Sequence, residues 1–177
     1  MKKVIINILL VITFIFLYLL QVNFFSWFKI AGVMPNLFVI LVLFIGLFFN
    51  RTIGITYGVI LGFLLDFFIG RKVGISSVMY GVVGLIGGVF DKNFSKESRL
   101  TIMIMAIGVT CVFEIGSYLL GFFIYGYAFE GLSFLKILLI ESLYNVMITI
   151  IVYPFMQNLG YKIEEEYKGN KILTRYF

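Results

Sequence analysis

Histidine is absent from this 177-residue sequence, and cysteine occurs once, at Cys111. Without histidine, no imidazole can act as a general acid or base, complete a Ser-His-Asp triad or ligate a metal ion. One cysteine cannot form a disulfide within the chain or a thiolate metal site. A phosphate-binding loop is missing as well, because Gly70-Arg71-Lys72 lacks the preceding glycine and the following Ser or Thr. These absences exclude the commonest hydrolytic, zinc-dependent and nucleotide-dependent sites.

Charged residues are scarce too, since Asp, Glu, Lys and Arg make up 13% of the chain and apolar residues make up 62%. A soluble domain is usually about 25% charged and about 45–50% apolar. The mean hydropathy is +1.08. So few polar residues cannot coat a water-soluble globule, and no polar stretch is long enough for a second domain. The sequence therefore predicts one polytopic membrane domain, residues 1–177.

The net charge of +5 and the pI near 9.3 raise the question of nucleic-acid binding. The basic residues lie in short turns between apolar runs and form no single patch, so we exclude nucleic acid as a partner. In a membrane protein, such a surplus is typical of cytoplasmic loops that face anionic lipid. The charge therefore indicates contact with membrane lipid.

Six apolar runs approach the roughly 20 residues that a helix needs to cross about 30 Å of hydrocarbon. We predict an all-α integral membrane protein with transmembrane helices at residues 4–22, 33–49, 52–69, 73–90, 100–124 and 134–157, followed by a cytoplasmic tail at 158–177. The start of the chain resembles a secretory signal. Its apolar run is longer than usual and lacks a cleavage pattern, which favours an uncleaved first span.

The distribution of Lys and Arg predicts the orientation of these spans. With the N-terminus inside, ten of the 14 basic residues fall in inner segments. The outer ones are Lys29, Arg71, Lys72 and Lys136. This bias supports two cytoplasmic termini. The Arg71-Lys72 pair is the local exception. If the third and fourth runs form a hairpin that does not cross the membrane fully, the protein has five or fewer spans.

Glycines recur at helical spacing in the third and fourth runs. The set comprises Gly54, Gly58, Gly62, Gly81, Gly84 and Gly88. Residues four apart share a helix face, and glycine lets a second helix approach closely in lipid, where little hydrophobic force drives helix association. We therefore predict a tightly packed hairpin of these two helices. The alternative is that glycine is merely common in membrane helices.

Three carboxylates, those of Asp66, Glu114 and Glu141, lie inside the predicted spans. A charge near the bilayer centre costs about 2.5–3.5 kcal/mol on insertion scales, so such residues usually face protein or water. Asn145 and Thr149 follow Glu141 on one helix face. We hypothesise a polar cleft between the third, fifth and sixth spans, opening outward. Its candidate counter-ions are Arg71, Lys72 and Lys136.

Alternatives to the cleft stay open. The polar groups could bond helix to helix within the protein only, receive a partner's membrane helix, or bind a small molecule or an ion. An intramembrane enzyme could also use carboxylates, but no catalytic motif accompanies them here. We therefore predict no enzyme activity, no cofactor and no metal site.

Short motifs in one order resemble those of the rod shape-determining protein MreD family. They are Pro35-Asn36-Leu37 at the start of the second run, the glycine series ending at Asp66, then Gly70 and Gly74-Ile75 before the glycine-rich fourth run. The chain length, the Lys-rich start and the six-run hydropathy match as well. Together with the polar pattern, the resemblance singles out structural or partner-contacting residues: Pro35, Asn36, Gly58, Gly62, Asp66, Gly70, Gly74, Glu114, Glu141 and Asn145.

The resemblance implies a non-catalytic scaffold in the bacterial inner membrane. MreD-like proteins belong to the elongation machinery (the elongasome) that inserts lateral-wall peptidoglycan and regulates cell shape. The implied partners are MreC, RodA and its class B penicillin-binding transpeptidase, with MreB linked indirectly.

The resemblance also implies a fold similar to the substrate-binding subunits of energy-coupling-factor transporters. That similarity raises the alternative of a solute-binding membrane subunit. Such subunits typically carry an Ala-xxx-Ala pattern in the first span. Residues 4–22 contain no alanine, which counts against this alternative.

Overall fold

The structure, a computed structural model, describes residues 2–69, 74–93, 96, 98–126 and 130–168, without the side chains of residues 2, 3, 92, 93 and 168. The helices of this part are α1 (Lys2–Leu19), α2 (Phe25–Trp27), α3 (Leu37–Phe48), α4 (Arg51–Ile69), α5 (Ile75–Asn93), α6 (Arg99–Tyr125) and α7 (Gly131–Lys168). A π-helical stretch, Leu20–Phe24, joins α1 to α2. These residues form no β-strand, only an isolated bridge between Ile30 and Val33. The all-helical class is confirmed.

Each of the six predicted runs coincides with a helix, but the helices differ in length. Four stretches are long and apolar enough to cross a membrane: Val4–Trp27, Arg51–Ile69, Arg99–Tyr125 and Gly131–Tyr167. The apolar helices Leu37–Phe48 and Ile75–Asp91 are shorter. The structure therefore supports a membrane protein, while six complete spans with both termini inside stay a prediction.

Helix α3 is the centre of the bundle. All 12 of its residues are buried, and a helix that is apolar around its whole circumference can be covered by protein on every side without burying a polar side chain. Its length of about 18 Å falls short of the roughly 30 Å of hydrocarbon in a bilayer. It begins at Leu37 and not at residue 33 as predicted, because a tight turn precedes it. In that turn Ala31 and Gly32 have φ values of 51° and 88°.

Helices α4 and α5 pack closely through the glycines of α4. A Cβ atom at Gly54 would lie 2.6 Å from the carbonyl oxygen of Gly84, and one at Gly62 would lie 2.5 Å from that of Ser76. A Cβ atom at Gly58 would collide with the backbone of α5. Such distances are shorter than any normal Cβ contact. The approach of the two backbones therefore requires glycine at these positions.

The glycine contact extends to α3, which the spacing of the glycines in the third and fourth runs does not predict. A Cβ atom at Gly46 of α3 would also lie 2.6 Å from the carbonyl oxygen of Gly84, and Gly87 faces the α3 backbone too. Gly88 meets the backbone of α4, whereas Gly81 meets a side chain of α4 at 2.9 Å. Three helix backbones therefore approach one another, and α3 is held in the middle of the bundle.

Helix α7 continues to Lys168, so the predicted tail at 158–177 begins within a helix; residues 169–177 lie outside the described part. The Lys96 ammonium lies 2.7 Å from the Glu164 carboxylate and 2.5 Å from that of Asp91. The Tyr153 hydroxyl donates to the Lys96 carbonyl oxygen at 2.8 Å. We name Asp91, Lys96 and Glu164 the Lys96 cluster. It fastens the end of α7 to the connection between α5 and α6.

The bundle has two sides, which we name after residues that lie there. The Asn36 side contains the C-terminal ends of α1, α4 and α6 and the N-terminal ends of α3, α5 and α7. The Lys96 side contains the opposite ends of these helices.

Candidate functional site: a polar junction inside the apolar bundle

Polar side chains of the bundle converge at the N-terminus of α3. We name Gln21, Asn36, Tyr80, Thr110 and Asn145 the polar junction. The Asn145 Oδ1 atom accepts a hydrogen bond from the Asn36 backbone N–H at 2.8 Å. The Asn145 amide donates in turn to the Thr110 hydroxyl at 2.9 Å. One fully buried side chain of α7 thereby ties α3 to α6.

Asn36 caps α3 with its own side chain. Its Oδ1 atom accepts from the Val39 backbone N–H at 3.3 Å and from the Tyr80 hydroxyl at 2.8 Å. Asparagine is favoured at this position because its oxygen satisfies an N–H group of the first turn. Pro35 lies just before the cap, outside the helix. Its carbonyl oxygen accepts a hydrogen bond from Gln21 Nε2 at 2.6 Å.

Gln21 also satisfies a backbone donor of α3. Its Oε1 atom accepts from the Leu37 N–H at 3.2 Å. The first four N–H groups of a helix have no partner within that helix, and each buried donor left unpaired costs about 1–3 kcal/mol. The side chains of Asn145, Gln21 and Asn36 satisfy the N–H groups of residues 36, 37 and 39. The polar junction thus takes the place of water at this helix end.

The polar junction lies deep in the bundle. At 1.5 Å per residue, Thr110 is about 16 Å along α6 from Arg99 and about 22 Å from Tyr125. Its hydroxyl donates to the Ala106 carbonyl oxygen at 2.7 Å, within the helix. Irregular backbone at membrane depth is tolerated only where protein buries it or water reaches it. The short α3 is therefore compatible with a membrane because the junction supplies its missing hydrogen bonds.

Glu114 and Glu141 lie one helical turn from the polar junction, toward the Asn36 side. Glu114 follows Thr110 by four residues and Glu141 precedes Asn145 by four, on helices that run antiparallel. Because Thr110 and Asn145 bond to each other, both carboxylates lie about 6 Å further along the bundle at 1.5 Å per residue. Glu141 is 7% exposed, Glu114 is half-buried, and both interact with other groups of the protein.

Asp66 belongs to a different helix pair. It is 1% exposed, and its Oδ2 atom accepts from the Gly74 N–H at 2.8 Å, just before α5 begins. Gly74 has a φ of 116°, a conformation that favours glycine. The Asp66 Oδ1 atom has no hydrogen-bond partner among the described residues. Asp66 therefore stabilises the end of the α4–α5 turn; Gly70, also predicted to matter, lies outside the described residues.

The predicted cleft between the third, fifth and sixth spans is wrong in its arrangement. Helix α4 makes its main contacts with α5 and α3, whereas α6 packs against α7, α5 and α3. The reason is that the glycine face of α4, which carries Asp66, is covered by α5. Of the predicted counter-ions, Lys136 is exposed and forms no ion pair in the described part of the chain, and Arg71 and Lys72 lie outside that part.

Sequence reasoning placed Asn36 and Asn145 in separate groups and missed Gln21 and Tyr80. The position of Gln21 could have indicated a polar site, because an amide within an apolar membrane run needs a polar partner. The position of Tyr80 gives no such indication, because tyrosine is common at both membrane interfaces.

The chemistry available at the polar junction is hydrogen bonding between helices. No group of three or more His, Cys, Asp or Glu residues is close enough to hold a metal ion in the described part of the chain. The junction side chains bond to one another and to the helix backbones. Such an arrangement holds helices in a fixed register.

A separate cavity of about 720 Å³, the apolar cavity, lies on the Lys96 side between α1, α3 and α7. Phe44 and Phe48 of α3 line it together with Leu9 of α1 and Leu159 of α7. Its charged lining residues are Lys162, Glu165 and Glu166. None of the residues of the polar junction lines it. The large cavity and the polar site are therefore distinct.

Comparison with known proteins adds a family assignment to this geometry. A family model described as rod shape-determining protein MreD matches residues 1–163. The matched range includes the whole polar junction and all the glycines of the α3–α4–α5 contact, and it ends one residue before Glu164. No curated protein and no solved structure matches the chain.

Proposed function

The chain belongs to the rod shape-determining protein MreD family, and on that premise we propose that it is a non-catalytic membrane scaffold of the bacterial cell-elongation complex. MreD is a family of shape-determining structural proteins and not a known enzyme family. In this proposal the chain is a multi-pass protein of the inner membrane. It binds MreC, joins RodA and its class B penicillin-binding transpeptidase to that complex, and is linked to MreB indirectly.

The observation that supports a scaffold is the way the buried polar side chains are used. The side-chain amides of three residues form hydrogen bonds with the backbone or side chains of neighbouring helices: Asn145, Asn36 and Gln21. The glycine contact brings three backbones together without intervening side chains. A core joined in this way presents its outer surfaces in a fixed geometry, as a scaffold that positions partners must.

We place the partner-contacting surface on the Asn36 side of α6 and α7. Phe123 near the end of α6 is 76% exposed, and Leu132 near the start of α7 is 85% exposed. Glu114 and Glu141 lie further in on the same two helices. The single membrane helix of MreC would pack against this apolar surface and reach the two carboxylates. Ten of the 14 Lys and Arg residues lie in the segments predicted to be cytoplasmic, and basic residues favour the cytoplasmic side of a membrane. This distribution supports an orientation in which the Asn36 side faces outward.

Affinity purification tests the proposal directly. The tagged chain is purified in mild detergent from its own bacterium, and the recovered proteins are identified by mass spectrometry. We expect MreC and the RodA–transpeptidase pair, and we expect loss of rod shape when the chain is depleted. Glu114→Gln and Glu141→Gln should lower the recovery of MreC, while Glu130→Gln, an exposed acid on the same side, should not.

Two results would contradict parts of this proposal. Recovery without MreC and without the RodA–transpeptidase pair would overturn the scaffold. Full recovery of MreC by both glutamine variants, with normal rod shape, would mean that the two carboxylates bond only helix to helix.

A second candidate function, the solute-binding subunit of an energy-coupling-factor type transporter, is favoured by the apolar cavity. Its volume of about 720 Å³ is in the range of small-molecule pockets, about 300–1,000 Å³. The absence of alanine from residues 4–22 counts against this function. Recovery of an ABC-type ATPase module or of a bound vitamin in the same purification would favour transport over the scaffold.

A further inference from the structure

The lining of the apolar cavity changes from apolar to charged along one helix. Phe155, Met156 and Leu159 of α7 line its inner part, and Lys162 and Glu165 line its end. This change takes place over about 15 Å at 1.5 Å per residue. Helices α1 and α3 add apolar side chains on the other walls. The cavity therefore has the polarity profile of a lipid, with hydrocarbon at one end and a charged group at the other.

The lining of the cavity favours hydrocarbon chains as its occupant. Leu9 of α1, Phe44 and Phe48 of α3 and Leu159 of α7 are among its apolar lining residues. A polar group buried against such a surface without a hydrogen-bond partner is unfavourable, whereas hydrocarbon needs no such partner.

The charged end of the cavity indicates the class of headgroup. Lys162 can contact a phosphate, and Glu165 and Glu166 can accept hydrogen bonds from an ammonium group. An anionic headgroup would meet two carboxylates for one ammonium, which is unfavourable. A primary ammonium carries three N–H donors, as a lysine does. A zwitterionic headgroup with a phosphate and a primary ammonium complements all three side chains.

Access to the cavity lies beside α1. In the most apolar part of the Val4–Trp27 stretch, only 6% of the residues are buried within the protein. A lipid chain can therefore enter laterally between α1 and α7 without breaking an extensive helix contact. We propose that the apolar cavity is a binding site for one phosphatidylethanolamine molecule, with its acyl chains between α1, α3 and α7 and its headgroup between Lys162 and Glu165.

The test is native mass spectrometry of the delipidated full chain titrated with phosphatidylethanolamine. Thr13 lines the cavity, and Val11 is 57% exposed on another face of the same helix. Thr13→Trp should weaken the binding of a single lipid about tenfold by filling the cavity, whereas Val11→Trp, with similar added bulk, should bind as the parent chain does. Both variants are first compared with the parent for thermal stability.

A second pair of variants tests the headgroup without changing the cavity volume. Lys162→Gln should weaken phosphatidylethanolamine binding about twofold to fivefold, in line with an exposed ion pair, while Lys136→Gln on the Asn36 side should not. Phosphatidylglycerol with the same acyl chains should bind the parent chain more weakly than phosphatidylethanolamine.

Several outcomes would overturn the proposal. They are the absence of a saturable single lipid, equal binding by Thr13→Trp and the parent, and a preference for phosphatidylglycerol. If Thr13→Trp binds lipid normally but no longer recovers a partner protein, the cavity receives a partner segment and not a lipid. The site does not depend on the proposed elongation partners, so these measurements hold whether or not MreC is recovered.

Discussion

The Asn36 backbone N–H donates to the Asn145 side-chain oxygen at 2.8 Å across 109 positions of sequence. This bond joins the start of the central α3 to the middle of α7. The other end of the same amide donates to Thr110 of α6. Both ends of one buried side chain are thus used, and three helices meet at it.

Replacing Asn145 by leucine should destabilise the protein. The substitution leaves the Asn36 N–H without an acceptor, which lowers the free energy of unfolding by about 1–3 kcal/mol. The thermal midpoint in detergent should fall by about 2–4 °C for each kcal/mol. Asn158→Leu makes the same chemical change on an exposed position of α7 and should leave the midpoint unchanged. Equal midpoints for the two variants would show that the bond does not stabilise the bundle.

A methyl group at Gly58 should loosen the α4–α5 pair. Its Cβ atom would collide with the Tyr80 backbone, which cannot move like a side chain, and overpacking of this kind costs about 1–3 kcal/mol. Gly108 of α6 has no atom within 4 Å of its Cβ position. Gly108→Ala should therefore leave stability unchanged or raise it by up to about 1 kcal/mol. If Gly58→Ala matches Gly108→Ala in thermal unfolding, the two helices do not pack as closely as described.

The contrast between these two sites explains what the sequence could predict. Glycine spacing is local, and the steps between Gly54, Gly58 and Gly62 define one helix face whatever the fold. Gly46 carried no such pattern, because it is the sole glycine of α3. Its contact with α5 becomes visible only when the tertiary arrangement is known.

The grouping of the acids could not be predicted for a related reason. The position of a residue along its helix gives its depth, and depth places Asp66, Glu114 and Glu141 in one half of the bundle. Depth does not say which helices are neighbours. The glycine face of α4 is covered by α5, so Asp66 stabilises a hairpin turn and does not join α6 and α7 in a common cleft.

The Lys96 cluster should show energetic coupling between two distant parts of the chain. Lys96 and Glu164 are separated by 68 positions, and their charged groups lie 2.7 Å apart with the Lys96 side chain 10% exposed. A double-mutant cycle of Lys96→Gln and Glu164→Gln should give a coupling energy of about 0.5–3 kcal/mol in thermal unfolding. The cycle with exposed Glu165→Gln should be additive within about 0.5 kcal/mol. Additivity in the first cycle would mean that the pair does not fasten α7.

Asp66 allows its structural role to be separated from a role in function. Asp66→Asn keeps an oxygen that can accept from the Gly74 N–H, so its thermal midpoint should stay close to that of the parent. Asp66→Leu removes the acceptor and should cost about 1–3 kcal/mol, because the Gly74 donor loses its partner at the start of α5. Phe67→Leu, at the adjacent position that is 70% exposed, serves as the control for both.

Equal stability of Asp66→Leu and the parent would rule out the turn-stabilising role. A stable Asp66→Asn variant that fails to restore rod shape to depleted cells would show that the carboxylate itself is needed for function, since the hydrogen bond to α5 would still be in place.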